Sequence, residues 1–146
     1  YSYIKSLGSE GLKQVSKNAI INANYIQSQL KNEYSLYSDR YCMHETVLSA
    51  SKQKNKAIKG LDIAKRLLDY GIHAPTMYFP QIVDEALMIE PTESESKETI
   101  DNFIETMKNI NDEISNSPEI VKSSPHNLPV KRLDEAKAAR NPILKR

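Results

Sequence analysis

The feature that most constrains the fold is a long helical stripe of apolar residues near the start of the chain. Between Ser9 and Leu36 the apolar positions recur every three or four residues, at Leu12, Val15, Ala19, Ala23, Ile26 and Leu30. This spacing places them on one side of an α-helix. Because such a stripe must be buried against another element, we expect a long amphipathic helix that packs on one face and meets water on the other.

Shorter elements follow this helix. The segment Cys42–Ala50 contains β-branched residues and no helical stripe, which predicts a buried or half-buried strand. The run Leu61–Tyr70 has apolar residues at helical spacing, and Gly71 behind it tolerates the left-handed turn that ends many helices. Ile72 then stands where such a cap commonly places an apolar residue against the last turn.

The second half of the chain predicts two strands and a further helix. Pro75 and Pro80 bracket a segment suited to a short edge strand, and residues 86–90 are typical of another short strand. Thr92 and Glu95 have the spacing of a capping box, so we expect a helix to begin there. The apolar stripe of this helix consists of Ile100, Phe103, Ile104, Met107, Ile110 and Ile114.

The order of these elements predicts an α+β domain with two layers, in which a small mixed sheet is covered by helices and preceded by the long helix. We expect residues 1–36 to form the long helix and residues 37–117 the α+β domain. Proline and basic residues dominate residues 118–146, which predicts an extended basic C-terminal tail. A short helix near Asp134–Arg140 is expected within that tail.

Charge and composition exclude several classes of protein. Twenty Lys and Arg against nineteen Asp and Glu give a net charge of +1, so no global field favours nucleic acid or a membrane surface. No apolar run approaches the roughly 18 residues that span a bilayer. Cys42, the one cysteine, rules out an internal disulfide and favours a reducing compartment. We therefore expect a soluble, cytoplasmic protein, and the opening at Tyr1 inside a helical pattern predicts that it continues a longer polypeptide.

The sequence lacks the motifs of common catalytic and metal sites. Cys42 and His44 would share one face of a strand, but a structural cysteine beside a hydrogen-bonded histidine explains the pair as well. His44 with Glu45 lacks the second histidine of the HExxH zinc motif, and no glycine run forms a phosphate loop. The acidic residues of segment 90–98 are typical of a helix N-terminus. Motifs alone therefore predict no catalytic and no metal-binding residue.

Four stretches taken together are similar to a known family: CMHETVLSA, LDIAKRLLDYGIHAPTMYFP, ALMIEPTESESKETIDNFIETM and PVKRLDEAKAARNPIL. They resemble glycine dehydrogenase (decarboxylating), the P-protein of the glycine cleavage system, and most closely subunit 2 of its two-subunit bacterial form. The resemblance implies a fold-type-I pyridoxal phosphate enzyme, of which this chain matches the small C-terminal domain. The Schiff-base lysine then lies upstream, so we assign that role to no lysine here and expect the fragment alone to be inactive.

The same resemblance implies a reaction and its partners. Members of the family decarboxylate glycine on pyridoxal phosphate and transfer the aminomethyl group to the lipoyl arm of the H-protein. The implied partners are the large domain of the same chain, P-protein subunit 1 and the H-protein. His44, Thr92, Glu93 and His126 lie in family-like motifs and are candidates for contacts at the cleft or at an interface. Structural histidines and helix capping also explain these four residues.

Two other hypotheses remain open at this point. The chain is alternatively the small domain of another fold-type-I enzyme, of the aminotransferase or desulfurase type. Such enzymes need an arginine that binds the substrate carboxylate, for which Arg40 is the candidate. The third hypothesis is a protein-interaction module with no enzymatic parent, which binds a partner through its helical faces and its basic tail.

Overall fold

The computed structural model describes residues 1–145, and Arg146, the last residue of the predicted tail, lies outside the described residues. Within that range the chain forms five α-helices: α1 Ser2–Leu30, α2 Gly60–Asp69, α3 Lys97–Asn116, α4 Pro118–Ser123 and α5 Glu135–Arg140. The four strands are β1 Ser35–Leu36, β2 Thr46–Ser49, β3 Thr76–Met77 and β4 Ala86–Ile89, and a 3₁₀ helix covers Ala50–Lys56. Among residues 1–145, no helix combines the length and the apolar composition of a membrane span.

The strands form one sheet in the order β1-β2-β4-β3, and every neighbouring pair is antiparallel. The α+β architecture is confirmed, but the sheet is antiparallel throughout and not mixed. Residues 37–45 and 78–85, which join the outer pairs of strands, are too short for a parallel crossover, since that takes about a dozen residues or more. β3 is an edge strand, as the flanking prolines predict.

The core lies between one face of this sheet and the helices. Leu48 of β2 and Leu87 of β4 are cross-strand partners, and neither is exposed. They pack in a cluster with Ile26 and Leu30 of α1 and with the apolar stripe of α3. Every predicted residue of that stripe is buried except Phe103, which is half-buried against the cluster. The helical periodicity therefore identified the face of α3 that packs in the core.

The first helix is confirmed, with different limits and a break. It starts at Ser2 and ends at Leu30 rather than Leu36, because the chain leaves it to enter β1. Gly8 interrupts the helical backbone with φ of 62°, a conformation that glycine adopts without steric cost. The C-terminal part of the predicted stripe is buried, whereas Leu12 and Val15 in the N-terminal part are half-exposed.

The end of α2 at Gly71 is confirmed together with its mechanism. Gly71 has φ of 75° and donates its N–H to the Leu68 carbonyl at 3.0 Å. Ile72 donates to the Leu67 carbonyl at 3.0 Å, which completes the two-bond Schellman cap. The Ile72 side chain packs against the core cluster, as its place in the cap predicts.

The predicted start of α3 is wrong. The helix begins at Lys97, and Ser96 caps it by accepting the Thr99 N–H at 3.1 Å. Thr92 instead stands in a turn, where its carbonyl accepts the Glu95 N–H at 3.3 Å and its hydroxyl lies 2.7 Å from the Ser94 hydroxyl. Both Thr92 and Ser96 are good capping residues, so the spacing of Thr92 and Glu95 did not distinguish between them.

The segment after α3 is partly helical and packed. α4 follows α3 directly with Pro118 in its first turn, and its Val121 is fully buried in the core cluster. Arg132 ties the following loop back to the domain, because its Nε donates to the Ser124 carbonyl at 2.7 Å and its Nη1 lies 2.8 Å from Asp62 Oδ1. The short helix α5 is confirmed and buries no residue. The predicted domain limits at 36 and 117 stay predictions.

Candidate functional site

The face of the sheet that turns away from the core forms a groove, which we call the open face. We define it by its apolar residues, Tyr37, Tyr41, Met43, Val47, Phe79 and Met88. Val47 and Met88 are cross-strand partners and alternate with the buried Leu48 and Leu87, so they point to the other side of the sheet. The groove has a volume of about 640 Å³. Tyr37, Met43 and Phe79 around it are 58%, 68% and 55% exposed.

His44, one of the candidates from the sequence, lies on the rim of the open face. Its Nε2 is 3.9 Å from Glu45 Oε2 and 3.8 Å from Glu90 Oε1. One ligand atom from each of the three side chains lies within 4.8 Å of the others, so together they offer a nitrogen and two carboxylates to a divalent cation. The sequence analysis missed this cluster because Glu90 follows β4, a strand remote from His44 in sequence.

Cys42 and His44 do not share a strand face, because β2 begins only at Thr46. The backbone of Cys42 is held by Asn24 of α1, whose Nδ2 donates to the Cys42 carbonyl at 2.8 Å and whose Oδ1 accepts the Cys42 N–H at 3.0 Å. Burial raises the pKa of the Cys42 thiol. A thiol of raised pKa is a poor nucleophile at neutral pH, so the geometry favours a structural cysteine.

Thr92 and Glu93 both contact α1. The Thr92 carbonyl accepts the Asn22 side chain at 3.0 Å, and the Tyr3 hydroxyl donates to Glu93 Oε1 at 3.0 Å. A straight helix would separate Tyr3 from Asn22 by about 28 Å, at 1.5 Å per residue. The break at Gly8 changes the direction of the helix between them, and both side chains reach adjacent residues of the loop.

His126 lies in a different place, at the start of the C-terminal segment. Its N–H donates to Asp69 at the end of α2, and its Nε2 donates to the Ile120 carbonyl at 2.9 Å. Asp69 also accepts the Asn127 N–H at 2.7 Å and lies 3.1 Å from Arg66. The four candidates thus occupy three places, since only Thr92 and Glu93 are neighbours. Of the four, His44 alone borders the open face.

Arg40, the candidate for a substrate carboxylate, also lines the open face. Its Nε donates to the Ser38 hydroxyl at 3.4 Å, and its carbonyl accepts the Gln27 side chain at 2.9 Å. Within residues 1–145 its guanidinium has no carboxylate within 4 Å. Arg40 thus adds a positive charge to the open face, which also carries the carboxylate of Glu45 beside His44.

A second groove, of about 510 Å³, lies between the end of α2 and the start of α3. Apolar side chains of Ile72 and Phe103 line it, and His73 and Glu95 add polar groups. Glu90 also lines this groove, so the His44 cluster stands between the two grooves.

The described lysines do not provide a site for pyridoxal phosphate. That cofactor is bound through a lysine amine, which needs a pocket that shields it. Every lysine in residues 1–145 is exposed or half-exposed. Lys52 donates to three backbone carbonyls, those of Lys31, Asn32 and Tyr34, while Lys54 is paired with Asp84 at 2.6 Å. The residues present therefore do not fit the cofactor by themselves.

Comparison with known proteins assigns the chain to a family. The model of the family described as glycine dehydrogenase, C-terminal domain, matches residues 15–132. The chain belongs to this family. The resemblance inferred from the four sequence stretches is thereby confirmed.

Curated relatives of this glycine dehydrogenase domain cover nearly the whole chain. A probable glycine dehydrogenase (decarboxylating) subunit 2 of Caldanaerobacter subterraneus subsp. tengcongensis is 54% identical over 145 residues, which is 99% of this chain and 30% of the relative. The protein of the same description from Bacillus velezensis is 57% identical over the same share of both chains. The chain thus spans about 30% of the length of the curated relatives it matches.

A solved structure shows the same fold. The match is to the glycine decarboxylase (P-protein) of the glycine cleavage system in inhibitor-bound form, with a TM-score of 0.64 and 18% identity. It covers 75% of this chain and 24% of the solved chain. The chain therefore shares the α+β fold of part of that solved protein.

Proposed function

We propose that this chain is the C-terminal domain of an enzyme that decarboxylates glycine with pyridoxal phosphate and transfers the aminomethyl group to the lipoyl arm of an H-protein. The observation that carries the proposal is the identity of 54% and 57%, over 99% of the chain, to glycine dehydrogenase (decarboxylating) subunit 2 proteins. Identity at that level over 99% of the chain is also the reason to prefer this function to an aminotransferase, a desulfurase or a module without an enzymatic parent.

The proposal divides the work between this domain and the rest of the polypeptide. Pyridoxal phosphate supplies an electron sink for the charge left after decarboxylation. Its lysine belongs to the remaining part of the subunit, in agreement with the exposure of the lysines described here. This domain contributes a wall beside the reacting groups and helps to exclude water from them. His44, which lines the open face, is our candidate for that role.

The partners follow from the same proposal. The complete subunit 2 works with P-protein subunit 1, and the H-protein delivers the lipoyl arm to the cleft. Thr92, Glu93 and His126 stay candidates for contacts at the cleft or at an interface. Their own contacts hold the 92–95 loop on α1 and the 126–127 segment on α2.

The test compares this chain with the complete subunit 2 that contains it. Each is incubated with pyridoxal phosphate, subunit 1, lipoylated H-protein and glycine labelled in its carboxyl carbon, and the released labelled carbon dioxide is counted. We expect release with the complete subunit and none with the 146-residue chain. We also expect the chain alone to retain no pyridoxal phosphate after gel filtration. Turnover by the chain alone, or stoichiometric cofactor retained on one of its lysines, would refute the proposal.

A further inference from the structure

His44, Glu45 and Glu90 bring three metal-ligating side chains together at the edge of the open face. One ligand atom of each lies within 4.8 Å of the others. Among residues 1–145, neither glutamate has a lysine or arginine nitrogen within 4 Å, and none of the three side chains makes a hydrogen bond. The cluster therefore carries two negative charges without a permanent positive partner in the described part of the chain.

The pairing of β2 with β4 explains why the two glutamates meet. The register ends with Thr46 opposite Ile89, and both of these side chains are buried. Because side chains alternate between the two faces of a sheet, the next pair outward, Glu45 and Glu90, turns to the open face. Carboxylates at opposed positions of two strands repel each other and destabilise the pairing. A cation bound between them removes this repulsion.

The backbone around the cluster is fixed by contacts of its own. Asn24 of α1 bonds both backbone groups of Cys42, two residues before the histidine, at 2.8 and 3.0 Å. The Thr46 hydroxyl, directly after the first glutamate, donates to Gln27 at 3.1 Å. The second glutamate is followed by the buried Pro91, whose ring restricts the backbone before it to extended conformations. Only the torsions of the three side chains therefore have to adjust when an ion binds.

The separations in the cluster fit a zinc ion after small movements of these side chains. Zinc binds imidazole nitrogen and carboxylate oxygen at about 2.0–2.2 Å in tetrahedral geometry, so neighbouring ligand atoms lie about 3.4 Å apart. His44 Nε2 is 3.8 Å from Glu90 Oε1 and 3.9 Å from Glu45 Oε2, which is about 0.5 Å more. The Glu90 and Glu45 side chains are 57% and 38% exposed, so they can close on an ion without disturbing the core.

We propose that His44, Glu45 and Glu90 bind a zinc ion at the edge of the open face. The imidazole nitrogen selects the ion, since nitrogen ligands suit zinc better than magnesium or calcium. The two carboxylates supply the charge that the ion neutralises, and the fourth position is left to water. The inference goes beyond the proposed function and does not depend on glycine turnover, because binding needs only these side chains and the pairing of β2 with β4.

Zinc binding to the complete subunit 2, assembled with subunit 1, tests the site. The complex is stripped with a chelator and dialysed against increasing concentrations of Zn²⁺, and the bound zinc is measured by atomic emission. We expect His44→Ala and Glu90→Gln each to weaken one zinc site by roughly 100-fold, because losing a group that merely orients a metal ligand already costs about 10- to 100-fold in affinity. The matched variants His73→Ala and Glu95→Gln, exposed in the second groove, should bind zinc like the native complex.

Anomalous scattering at the zinc absorption edge locates the ion in crystals of the same complex. A peak bonded to His44 and to at least one of the two glutamates supports the proposal. Zinc bound only elsewhere overturns it, as does unchanged binding in His44→Ala and Glu90→Gln. Displacement of the zinc by excess Mg²⁺ also overturns it, because such a site would respond to carboxylate charge alone.

Release of labelled carbon dioxide from glycine separates this inference from the proposed function. A complex that decarboxylates glycine but binds no zinc at His44 contradicts the metal site and leaves the function standing. A complex that binds zinc at His44 but never decarboxylates glycine contradicts the function and leaves the metal site standing.

Discussion

Arg66 of α2 and Glu113 of α3 form an ion pair with two parallel hydrogen bonds, Nε to Oε2 at 2.8 Å and Nη2 to Oε1 at 2.7 Å. The Tyr70 hydroxyl donates to the same Glu113 at 2.8 Å, and Arg66 also contacts Asp69. Since Asp69 accepts two N–H groups from residues 126–127, this network joins α2, α3 and the C-terminal segment. α2 and α3 also contribute side chains to the same hydrophobic core, so polar and apolar contacts both join these two helices.

The first prediction concerns Glu113→Gln. The change removes the charge that balances Arg66 in a site where the two side chains are 22% and 15% exposed. We expect the free energy of unfolding to fall by about 2 kcal/mol, the usual range for hydrogen bonds to charged groups. Urea unfolding of the chain followed by circular dichroism measures it. Lys13→Ala, which breaks the exposed Lys13–Glu10 pair, is the control and should change nothing measurable.

The second prediction concerns acid. Burial opposes ionisation of Asp69, but the N–H donors of Asn127 and His126 and the Arg66 guanidinium outweigh it and lower the pKa of this carboxyl. Hydrogen bonding to Arg66 likewise lowers the pKa of Glu113. Groups with a lowered folded-state pKa stabilise the fold above their unfolded pKa, and this stability is lost as the pH falls through the folded value. The loss should therefore fall below about pH 4, where unfolded carboxyls titrate.

The measurement is the free energy of unfolding between roughly pH 6 and pH 2 for the native chain and for Asp69→Asn. The variant should be less stable at the upper end and should lose less stability on acidification, so the two curves converge. Parallel curves would show that Asp69 is not linked to the acid transition. Asp112→Asn, an exposed change on α3, serves as the matched control.

The fold was predictable where one physical signal decided the structure. The apolar stripe of α3 is one example, because burial determines which of its residues are apolar. The end of α2 at Gly71 is another, because backbone sterics favour glycine at a positive φ. The strand β1 was missed because its two residues are too few to show the alternation of apolar and polar side chains that marks a strand. α4 was missed because Pro118 ends one helix and also suits the first turn of the next, and only the packing of Val121 reveals the second role.

The candidate site was less predictable because its contacts join distant parts of the chain. His44 was named from the sequence, but its proximity to Glu90 depends on the register of β2 with β4. The apolar residues of the open face carry no motif, and only the completed sheet and its loops bring them together around one groove. Thr92 was identified as a helix cap, whereas the structure uses its backbone to hold α1.

The third prediction tests the backbone at Gly71. A Cβ here would meet no atom within 4 Å, so space does not limit a substitution, but φ of 75° disfavours residues with a side chain. Gly71→Ala should cost about 1–2 kcal/mol of unfolding free energy. Gly71→Asn is the matched variant and should cost less, because asparagine tolerates the left-handed conformation. Equal losses for Ala and Asn, measured by urea unfolding, would contradict backbone strain as the cause.

The last prediction concerns His44 and belongs to the complete enzyme. His44 is 56% exposed in its side chain, and its Nε2 lies 3.8 Å from Glu90 and 3.9 Å from Glu45, so His44→Ala should leave the unfolding midpoint of the complete subunit unchanged. If His44 borders the cleft, kcat/KM for glycine should fall about tenfold, equivalent to an interaction of about 1.4 kcal/mol. His73→Ala, at an exposed histidine in the other groove, should retain full activity. Equal activity of the two variants would show that His44 takes no part in the reaction and that its contacts with Glu45 and Glu90 are a surface feature.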